Sequence, residues 1–331
     1  MNLPISYSKY STFTYCPLKY IHQYILRTPS EFEHSYPLVL GQLTHLFIKL
    51  YNDGDYSKSD ILSIKDNLDV LYELIDLKYP SYDNNSYVIK NINIDDNIKK
   101  LIEFINDNIV VFFHAVKLFN VYNSSFFPRI NEYSTKILSE TTFHNIITLN
   151  DNIDVCLYGS IDILFYTVNN EKLHCVYISD LKSGKKLYDT YINQLFFYNY
   201  NIQNYNYKKN ENIKNITDDL NSIEFIKQNM NKENMNLILF SLQENIHSNK
   251  RLFEVEDKYN LFITKMFDIL SNDIYELHKN KDFILMDDMF SKYKDEYNLE
   301  ELSNCKQKDI DFLCKKCDYA NICEYKKLNK G

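Results

Sequence analysis

The sequence predicts an α/β fold in which a central mixed sheet is flanked by helices. Segments with the two-residue alternation of strands follow one another at Thr142–Leu149, Val155–Val168 and Leu173–Lys182. A helical segment, Tyr188–Ile202, comes next, and a further apolar strand is predicted at Asn236–Leu242. A sheet with helices on its faces can bury the 45% hydrophobic content of this 331-residue chain.

Helices are predicted on the N-terminal side of these strands. The first helical segment, which Ser6 or Ser8 can cap, is interrupted at Cys16-Pro17, because proline lacks the N–H that a helix interior needs. The other segments repeat apolar residues every three or four positions. In chain order the segments are Ser6–Arg27, Gly41–Asp53, Asp60–Leu77 and Ile94–Phe119. A long helix is also predicted at Glu256–Asn280.

We interpret residues 1–331 as a single domain with three recognisable parts. Residues 54–140 form a mainly helical insertion, and residues 141–245 hold the sheet and helix that carry the candidate catalytic site. Residues 300–331 form a cysteine-rich tail. A mobile loop is predicted at Asn204–Asn215, where lysine and asparagine dominate.

Composition and charge exclude several classes of protein. Lys and Arg number 37 against 45 Asp and Glu, for a formal charge of -8, so any nucleic-acid contact has to be local. The chain lacks the roughly 18 consecutive apolar residues of a membrane span and the features of a signal peptide. We therefore expect an intracellular protein without membrane contact. Seven unevenly spaced cysteines favour metal binding or free thiols over a disulfide framework.

The candidate site lies on two consecutive predicted strands. Two-residue periodicity puts Asp180 and Lys182 on one face of a strand, with Leu181 turned away. In the preceding strand Asp162 emerges three residues after Gly159, and hairpin pairing would bring it near Asp180. Carboxylates hold hard cations, and a lysine can stabilise charge that develops on a phosphate. These groups are the ones that metal-dependent phosphodiester hydrolysis needs.

Three further side chains are candidates for the same site. His45, four residues after Gly41, can offer an imidazole nitrogen to a metal. Gln194 and Tyr198 are four apart on the following helix, where they can contact a phosphate or orient the lysine. Three of the five glycines lie within four residues of a candidate, which suggests positions where a side chain is excluded. Each feature alone also fits a surface ion pair, a core histidine or a buried polar pair.

The order of these residues resembles the motifs of RecB-type PD-(D/E)XK nucleases. The matching motifs are Gly41-x3-His45, Gly159-x2-Asp162, Asp180-x-Lys182-x-Gly184 and Gln194-x3-Tyr198. The resemblance extends from about Ser6 to Tyr325 and implies a restriction-endonuclease-like core. Leu181 replaces an aromatic residue that often stands between the acid and the lysine, which leaves the ligands intact.

The resemblance implies a role for each matching residue. Ligands to Mg²⁺ or Mn²⁺ are implied at His45, Asp162, Asp180 and the carbonyl oxygen of Leu181. Asp162 and Asp180 thereby belong to the catalytic set, in which Lys182 acts as the catalytic lysine. Gln194 and Tyr198 would support DNA binding and the site.

The function implied is metal-dependent hydrolysis of DNA. We expect an exonuclease that prefers single strands or free ends and acts in DNA repair, recombination or CRISPR adaptation, with a helicase or a CRISPR integrase as partner. The alternative is a non-catalytic DNA-binding or assembly module with a structural metal site. The acidic net charge motivates that alternative, and the intact acids and lysine argue against it.

Three closely spaced cysteines, Cys314, Cys317 and Cys323, need a fourth ligand. Structural zinc and [4Fe-4S] clusters both take four cysteines, so the spacing alone leaves the metal open. It also leaves the fourth ligand open between Cys305 and Cys16.

The tail resembles that of the iron-sulfur branch of the same superfamily, which includes AddB-type nucleases, CRISPR-associated RecB-like exonucleases and eukaryotic single-strand exonucleases. In that branch the fourth ligand precedes the nuclease motifs in a Cys-Pro context, which Cys16-Pro17 matches here. The resemblance thus implies a [4Fe-4S] cluster on Cys16 and the tail, with structural Zn²⁺ as the alternative and Cys305 unliganded. Cys156 and Cys175 are expected to be buried structural thiols.

Overall fold

The computed structural model describes a large part of the chain, organised as two compact units. The described residues are 3–25, 28, 35–64, 94–149, 153–185, 187, 191–205, 217–279 and 317. The first unit comprises Met1–Tyr7 and His34–Lys265. The second unit comprises Ser8–Glu33 and Met266–Gly331.

Within the described residues, the first unit holds a six-stranded mixed sheet. Its strands are β1 (Leu3–Ser6), β2 (Lys136–Leu149), β3 (Ile153–Asn169), β4 (Lys172–Lys182), β5 (Met235–Ser241) and β6 (Ile246–Arg251). They lie in the order β1-β3-β4-β5-β6, and β2 pairs with β3. The β1–β3 and β4–β5 pairs are parallel and the remaining pairs antiparallel. The predicted mixed sheet is therefore confirmed.

The long strand β3 determines where the site can form. One edge of it pairs with β2 along almost its whole length. The other edge pairs with β1 as far as Tyr158 and with β4 from Ile163 onward. Residues 159–162 lie between these two pairings, so Asp162 sits where β1 and β4 diverge. The tight turn from β3 to β4 uses Asn170 and Glu171, whose positive φ angles of 49° and 62° fit a type I′ hairpin.

Helices flank the sheet on both faces. In the first unit they are α3 (Tyr36–Asn52), α4 (Lys58–Ser63), α5 (Ile94–Asp107), α6 (Val110–Val121), α7 (Phe127–Tyr133), α8 (Ile192–Gln203), α9 (Thr217–Asn229) and most of α10 (Glu256–Asp268). One apolar cluster joins α3, α6 and α7 to the sheet and includes Phe47, Phe112 and Leu181. Helix α8 meets the opposite face, since Gln194 contacts Lys182, whose side chain points away from that of Leu181.

The strands differ from their predicted bounds mainly at β2. This strand begins at Lys136, six residues before the predicted Thr142, so the last five residues of the predicted helical insertion belong to the sheet. Strands β1 and β6 were not predicted. β1 alternates Leu3 and Ile5 with Pro4 and Ser6 but is only four residues long, which is too short for a clear strand signal. β6 lies largely exposed with a polar sequence and gives no apolar alternation.

The helices of the predicted insertion also differ in detail. The segment predicted at Ile94–Phe119 forms two helices, α5 and α6, and the side chain of Asn108 between them bonds to the carbonyl of Phe104. A short polar residue that bonds the backbone in this way is typical of a helix end. Of the segment predicted at Asp60–Leu77, residues 65–77 lie outside the described residues, as do residues 206–215 of the predicted loop.

The second unit brings the two ends of the chain together. It includes α1 (Tyr7–Tyr15) from Ser8 onward, and α2 (Pro17–Tyr20), which begins after Cys16. The predicted interruption at Cys16-Pro17 is therefore confirmed. The hydroxyl of Tyr20 forms a 2.9 Å hydrogen bond with Nε2 of His278, which belongs to α11 (Tyr275–Lys279). None of the helices in the described ranges is both long and apolar enough to cross a membrane.

Candidate active site

Two buried aspartates meet where β3 and β4 pair. The ladder joins Ile163 to Ser179, which sets Asp162 beside Asp180, as the predicted hairpin requires. Asp180 is 1% exposed and Asp162 8% exposed. Oδ2 of Asp162 accepts a 2.6 Å hydrogen bond from the backbone N–H of Leu181. Two acidic side chains are thus held close together in a region with little water.

Burial changes the protonation of both aspartates. Removal from water raises the pKa of Asp162 to about 7; His45 opposes the rise, and Asp180 and Glu140 add to it. Burial also raises the pKa of Asp180, against the opposing effect of Lys182. The charged forms of these carboxyls are therefore costly unless positive charge lies beside them. Such a cluster is the electrostatic signature of a cation site or a catalytic centre.

His45 projects from α3 into this group. Its Nδ1 lies 2.9 Å from Oε1 of Glu140 and 3.4 Å from Oδ1 of Asp162. Its Nε2 lies 3.2 Å from the carbonyl oxygen of Leu181. Ligand atoms of His45, Glu140 and Asp162 all lie within 4.8 Å of one another, so the three could hold one metal ion. The imidazole and all the acceptors around it are groups that bind divalent metals.

Glu140 was not among the residues predicted from the sequence. Its φ of 51° lies in the left-handed region, which is costly for a residue other than glycine. The ladder of β2 and β3 has partners for Ser139 and Thr141 but none for Glu140. Ser160 donates a 3.0 Å hydrogen bond to Oε2 of Glu140, which fixes the other carboxylate oxygen. Strain that the surroundings hold in place is often found at functional sites.

A sequence signal for Glu140 did exist. In the observed ladder Leu149 pairs with Ile153, and the same antiparallel register carried back along both strands reaches Glu140 and Asp162. Extending the antiparallel register would have set the two carboxylates opposite one another. The signal was missed because residue 140 was assigned to the helical insertion.

Lys182 is held beside Asp180 by a chain of hydrogen bonds from α8. Its Nζ lies 2.7 Å from Oδ2 of Asp180 and donates to Oε1 of Gln194 at 2.9 Å. Nε2 of Gln194 then donates to the hydroxyl of Tyr198 at 2.6 Å. Burial on its own would lower the pKa of Lys182, but the charges of Asp180 and Asp162 raise it overall. The lysine therefore stays protonated, and the structure brings it together with both predicted α8 residues.

The glycines near the site have different roles. A Cβ on Gly159 would lie 2.9 Å from Cζ of Phe143 and 3.5 Å from Cε1 of Tyr198, so this position excludes a side chain. A Cβ on Gly41 would make an ordinary 3.7 Å contact with Ser183, and one on Gly184 would meet no atom of the described residues within 4 Å. The expectation that a side chain is excluded holds for Gly159 and is wrong for Gly41 and Gly184.

The structure describes part of the predicted cysteine site. Sγ of Cys16 accepts a 3.4 Å hydrogen bond from the backbone N–H of Lys19, and Cys317 is half-buried. Cys314 and Cys323, and with them Cys305, lie outside the described residues.

The two strand cysteines differ from their prediction. Cys156 and Cys175 are half-buried and not fully buried. Cys156 alternates along β3 with the buried Val155 and Leu157, so its side chain lies on the sheet face that is only partly covered.

Comparison with known proteins gives one match. The sequence model of the PD-(D/E)XK nuclease superfamily matches residues 4–324, which is nearly the whole chain and includes every residue of the candidate active site. A search of curated protein sequences gave no match.

Proposed function

This chain belongs to the PD-(D/E)XK nuclease superfamily, and we propose that it hydrolyses DNA phosphodiester bonds with the site on α3, β2, β3, β4 and α8. The observation that carries the proposal is the convergence of His45, Glu140, Asp162 and Asp180 around one buried region, with Lys182 bound to Asp180. Metal-dependent nucleases need such a combination of acids and a cationic side chain.

The side chains fit a hard divalent cation such as Mg²⁺ or Mn²⁺. Both ring nitrogens of His45 face oxygen acceptors. Burial disfavours the charged form of both aspartates, so a bound cation would offset the cost of ionising them. The residues that would hold the ion are His45, Glu140, Asp162, Asp180 and the carbonyl of Leu181. A bound divalent ion polarises the scissile phosphate and lowers the pKa of the attacking water.

The chain's own groups orient the lysine and supply positive charge. Lys182 directs a permanent charge to the side of the site where negative charge develops on the phosphate during hydrolysis. The amide oxygen of Gln194 accepts from Lys182, and its amide nitrogen donates to Tyr198. The second hydrogen bond therefore keeps the oxygen turned towards the lysine. Burial raises the pKa of Tyr198 well above its ordinary value, so the hydroxyl stays neutral. The hydroxyl oxygen accepts from Nε2 of Gln194 and thereby fixes the orientation of the amide.

The substrate we propose is DNA with a single-stranded segment or a free end, degraded as an exonuclease in DNA repair, recombination or CRISPR adaptation. The order of the motifs supports this class, and the formal charge of -8 disfavours binding a long duplex through an extended basic surface. A helicase or a CRISPR integrase is the partner that the motif resemblance favours.

We propose that Cys16, Cys314, Cys317 and Cys323 hold a [4Fe-4S] cluster, with structural Zn²⁺ as the alternative. The hydrogen bond from the backbone N–H of Lys19 to Sγ of Cys16 supports a sulfur ligand at this position, since backbone N–H groups stabilise sulfur ligands. Cys16 and Cys317 also belong to the same compact unit.

The cluster is tested by iron, sulfide and zinc analysis of anaerobically purified protein. Cys16→Ser should lose the metal, whereas Cys156→Ser, a half-buried cysteine outside the set, should keep it. Full metal content in the Cys16 variant would contradict the assignment.

Cleavage is tested with single-stranded DNA labelled at either end and incubated with Mg²⁺ or Mn²⁺. Lys182→Ala should lower the rate by at least about 100-fold, because it removes the charge beside the phosphate. Lys172→Ala is the matched control, since that lysine is exposed at the opposite end of the same strand.

Equal cleavage by the wild-type protein and the Lys182 variant would reject the assignment of Lys182 as the catalytic lysine. DNA binding without cleavage, across several metals and substrates, would favour the non-catalytic module instead.

A further inference from the structure

An aromatic ring lies against the candidate catalytic lysine and belongs to none of the motifs. Nζ of Lys182 sits over the ring of Tyr191, 4.8 Å from its centroid. An ammonium within about 6 Å of a ring centroid is attracted by the negative face of the ring. The contact therefore adds a third neighbour to the lysine, beside Asp180 and Gln194.

The position of Tyr191 on α8 explains how it reaches the lysine. The residue directly precedes the helix and already has helical backbone angles, φ -66° and ψ -23°. Gln194 follows three residues later and Tyr198 seven, so the three side chains share one face of the helix. Tyr191 and Gln194 contact Lys182, and Tyr198 contacts Gln194.

The three contacts restrict a side chain that is otherwise flexible. A lysine has a four-carbon stem and three rotatable N–H donors, of which Asp180 and Gln194 receive two. These two partners fix the ammonium by hydrogen bonds, and the ring limits its movement from another direction without using a donor. The side chain of Lys182 remains 22% exposed, so a phosphate could approach it from solvent.

We propose that Tyr191 is a positioning residue for the nuclease reaction, whose ring holds Lys182 in place by a cation–π contact. This inference rests on the proposed function, because the benefit of positioning is an increased rate of cleavage. The ring is the active part, and the phenol hydroxyl is dispensable.

The kinetic test compares two substitutions of Tyr191. Tyr191→Leu should lower kcat by about five- to thirtyfold, the range for a partly desolvated cation–π contact, and leave KM within about twofold. Tyr191→Phe keeps the ring and should retain the wild-type kcat. Asn193→Ala, on a neighbouring face of α8, is the control for the helix itself and should leave kcat unchanged.

The results that would overturn the proposal are specific. An equal loss in the phenylalanine and leucine variants would assign the effect to the hydroxyl. A rise in KM at unchanged kcat would mean that the ring binds substrate directly. In a Lys182→Ala background, Tyr191→Leu should cause no further loss, and additive losses would show that the ring acts independently of the lysine.

A spectroscopic readout separates this inference from the proposed function. With ¹³C-labelled lysine, the ε-methylene protons of Lys182 should resonate upfield in the wild-type protein and in Tyr191→Phe, because the ring lies against them. They should return to ordinary values in Tyr191→Leu. An inactive protein with the upfield signal would reject the nuclease assignment alone; an active protein without it would reject the cation–π contact alone.

Discussion

Replacing Asp162 with asparagine is expected to stabilise the metal-free protein at alkaline pH, although it should also abolish cleavage. The carboxyl is 8% exposed, and burial raises its pKa to about 7, well above the ordinary value of 3.8. Asparagine has nearly the same shape, carries no charge and can still accept the hydrogen bond from the N–H of Leu181 through its amide oxygen. The substitution therefore removes a buried charge and keeps the local packing.

The size of the effect follows from the pKa shift. A carboxyl whose pKa is raised on folding keeps its proton in the folded state after the unfolded chain has released it. Its contribution to stability is fully present below about pH 4 and is lost as the pH rises through about 7. With about 1.4 kcal/mol per pKa unit, ionised Asp162 costs up to about 4 kcal/mol at pH 8 and less than about 1 kcal/mol at pH 4.

Thermal unfolding in EDTA measures this difference. For a unit of this size about 1 kcal/mol shifts Tm by roughly 2 to 4 °C. The asparagine variant should therefore unfold at least about 5 °C above the wild type at pH 8, with a gap that shrinks towards pH 4. Asp55→Asn removes an exposed carboxylate and serves as the control for net charge, with little change expected in Tm.

A gap that is absent at pH 8, or that does not depend on pH, would refute the reasoning. The first result would mean that Asp162 ionises at no cost in the folded protein. The second would mean that the gain comes from packing rather than from charge.

Two further predictions concern the support of the site. In chemical denaturation, Gly159→Ala should lower the free energy of unfolding by about 1 to 3 kcal/mol, because its Cβ would approach Cζ of Phe143 to 2.9 Å. Gly184→Ala is the control and should leave the free energy of unfolding unchanged. A neutral Gly159 variant would mean that the ring of Phe143 moves away freely. Ser160→Ala removes the hydrogen bond to Glu140 and should weaken Mn²⁺ binding by about tenfold, measured by calorimetry. An unchanged Mn²⁺ affinity would exclude Glu140 as a ligand that Ser160 orients.

The part of the site that could be predicted is the part that depends on local periodicity. Pairing of two neighbouring strands across a tight turn is enough to bring Asp162 near Asp180 and Lys182. The exact register also depends on a shift between Thr167 and Val168, which alternation along the strands does not predict. The i to i+4 spacing likewise put Gln194 and Tyr198 on one helix face. These relations need no knowledge of the rest of the chain.

The residues that were missed depend on strand boundaries and on long-range pairing. Glu140 lies in a stretch whose strand character becomes clear only once β2 is extended back to Lys136 against β3. Tyr191 lay within the predicted helix, three residues before Gln194, but its spacing does not distinguish a ring that contacts a lysine from an ordinary tyrosine on a helix surface. The divergence of β1 and β4 along β3 involves a strand about 150 residues away in sequence, and alternation within a strand carries no information about it.

The energetic character of the site favours a catalytic protein over a purely architectural one. Three carboxylates lie close together with one histidine and one lysine, burial raises the pKa of both aspartates, and Glu140 keeps a strained backbone. A module that only binds DNA would be more stable if an asparagine replaced Asp162, because nothing in binding requires a buried acid with a pKa near 7. A hydrolytic site does require it, because a divalent cation needs charged oxygen ligands that are already assembled, and the cost of assembling them is recovered when the cation binds. The stability measurement on Asp162→Asn therefore bears on function as well: a stabilised but inactive variant is the result that a catalytic site predicts.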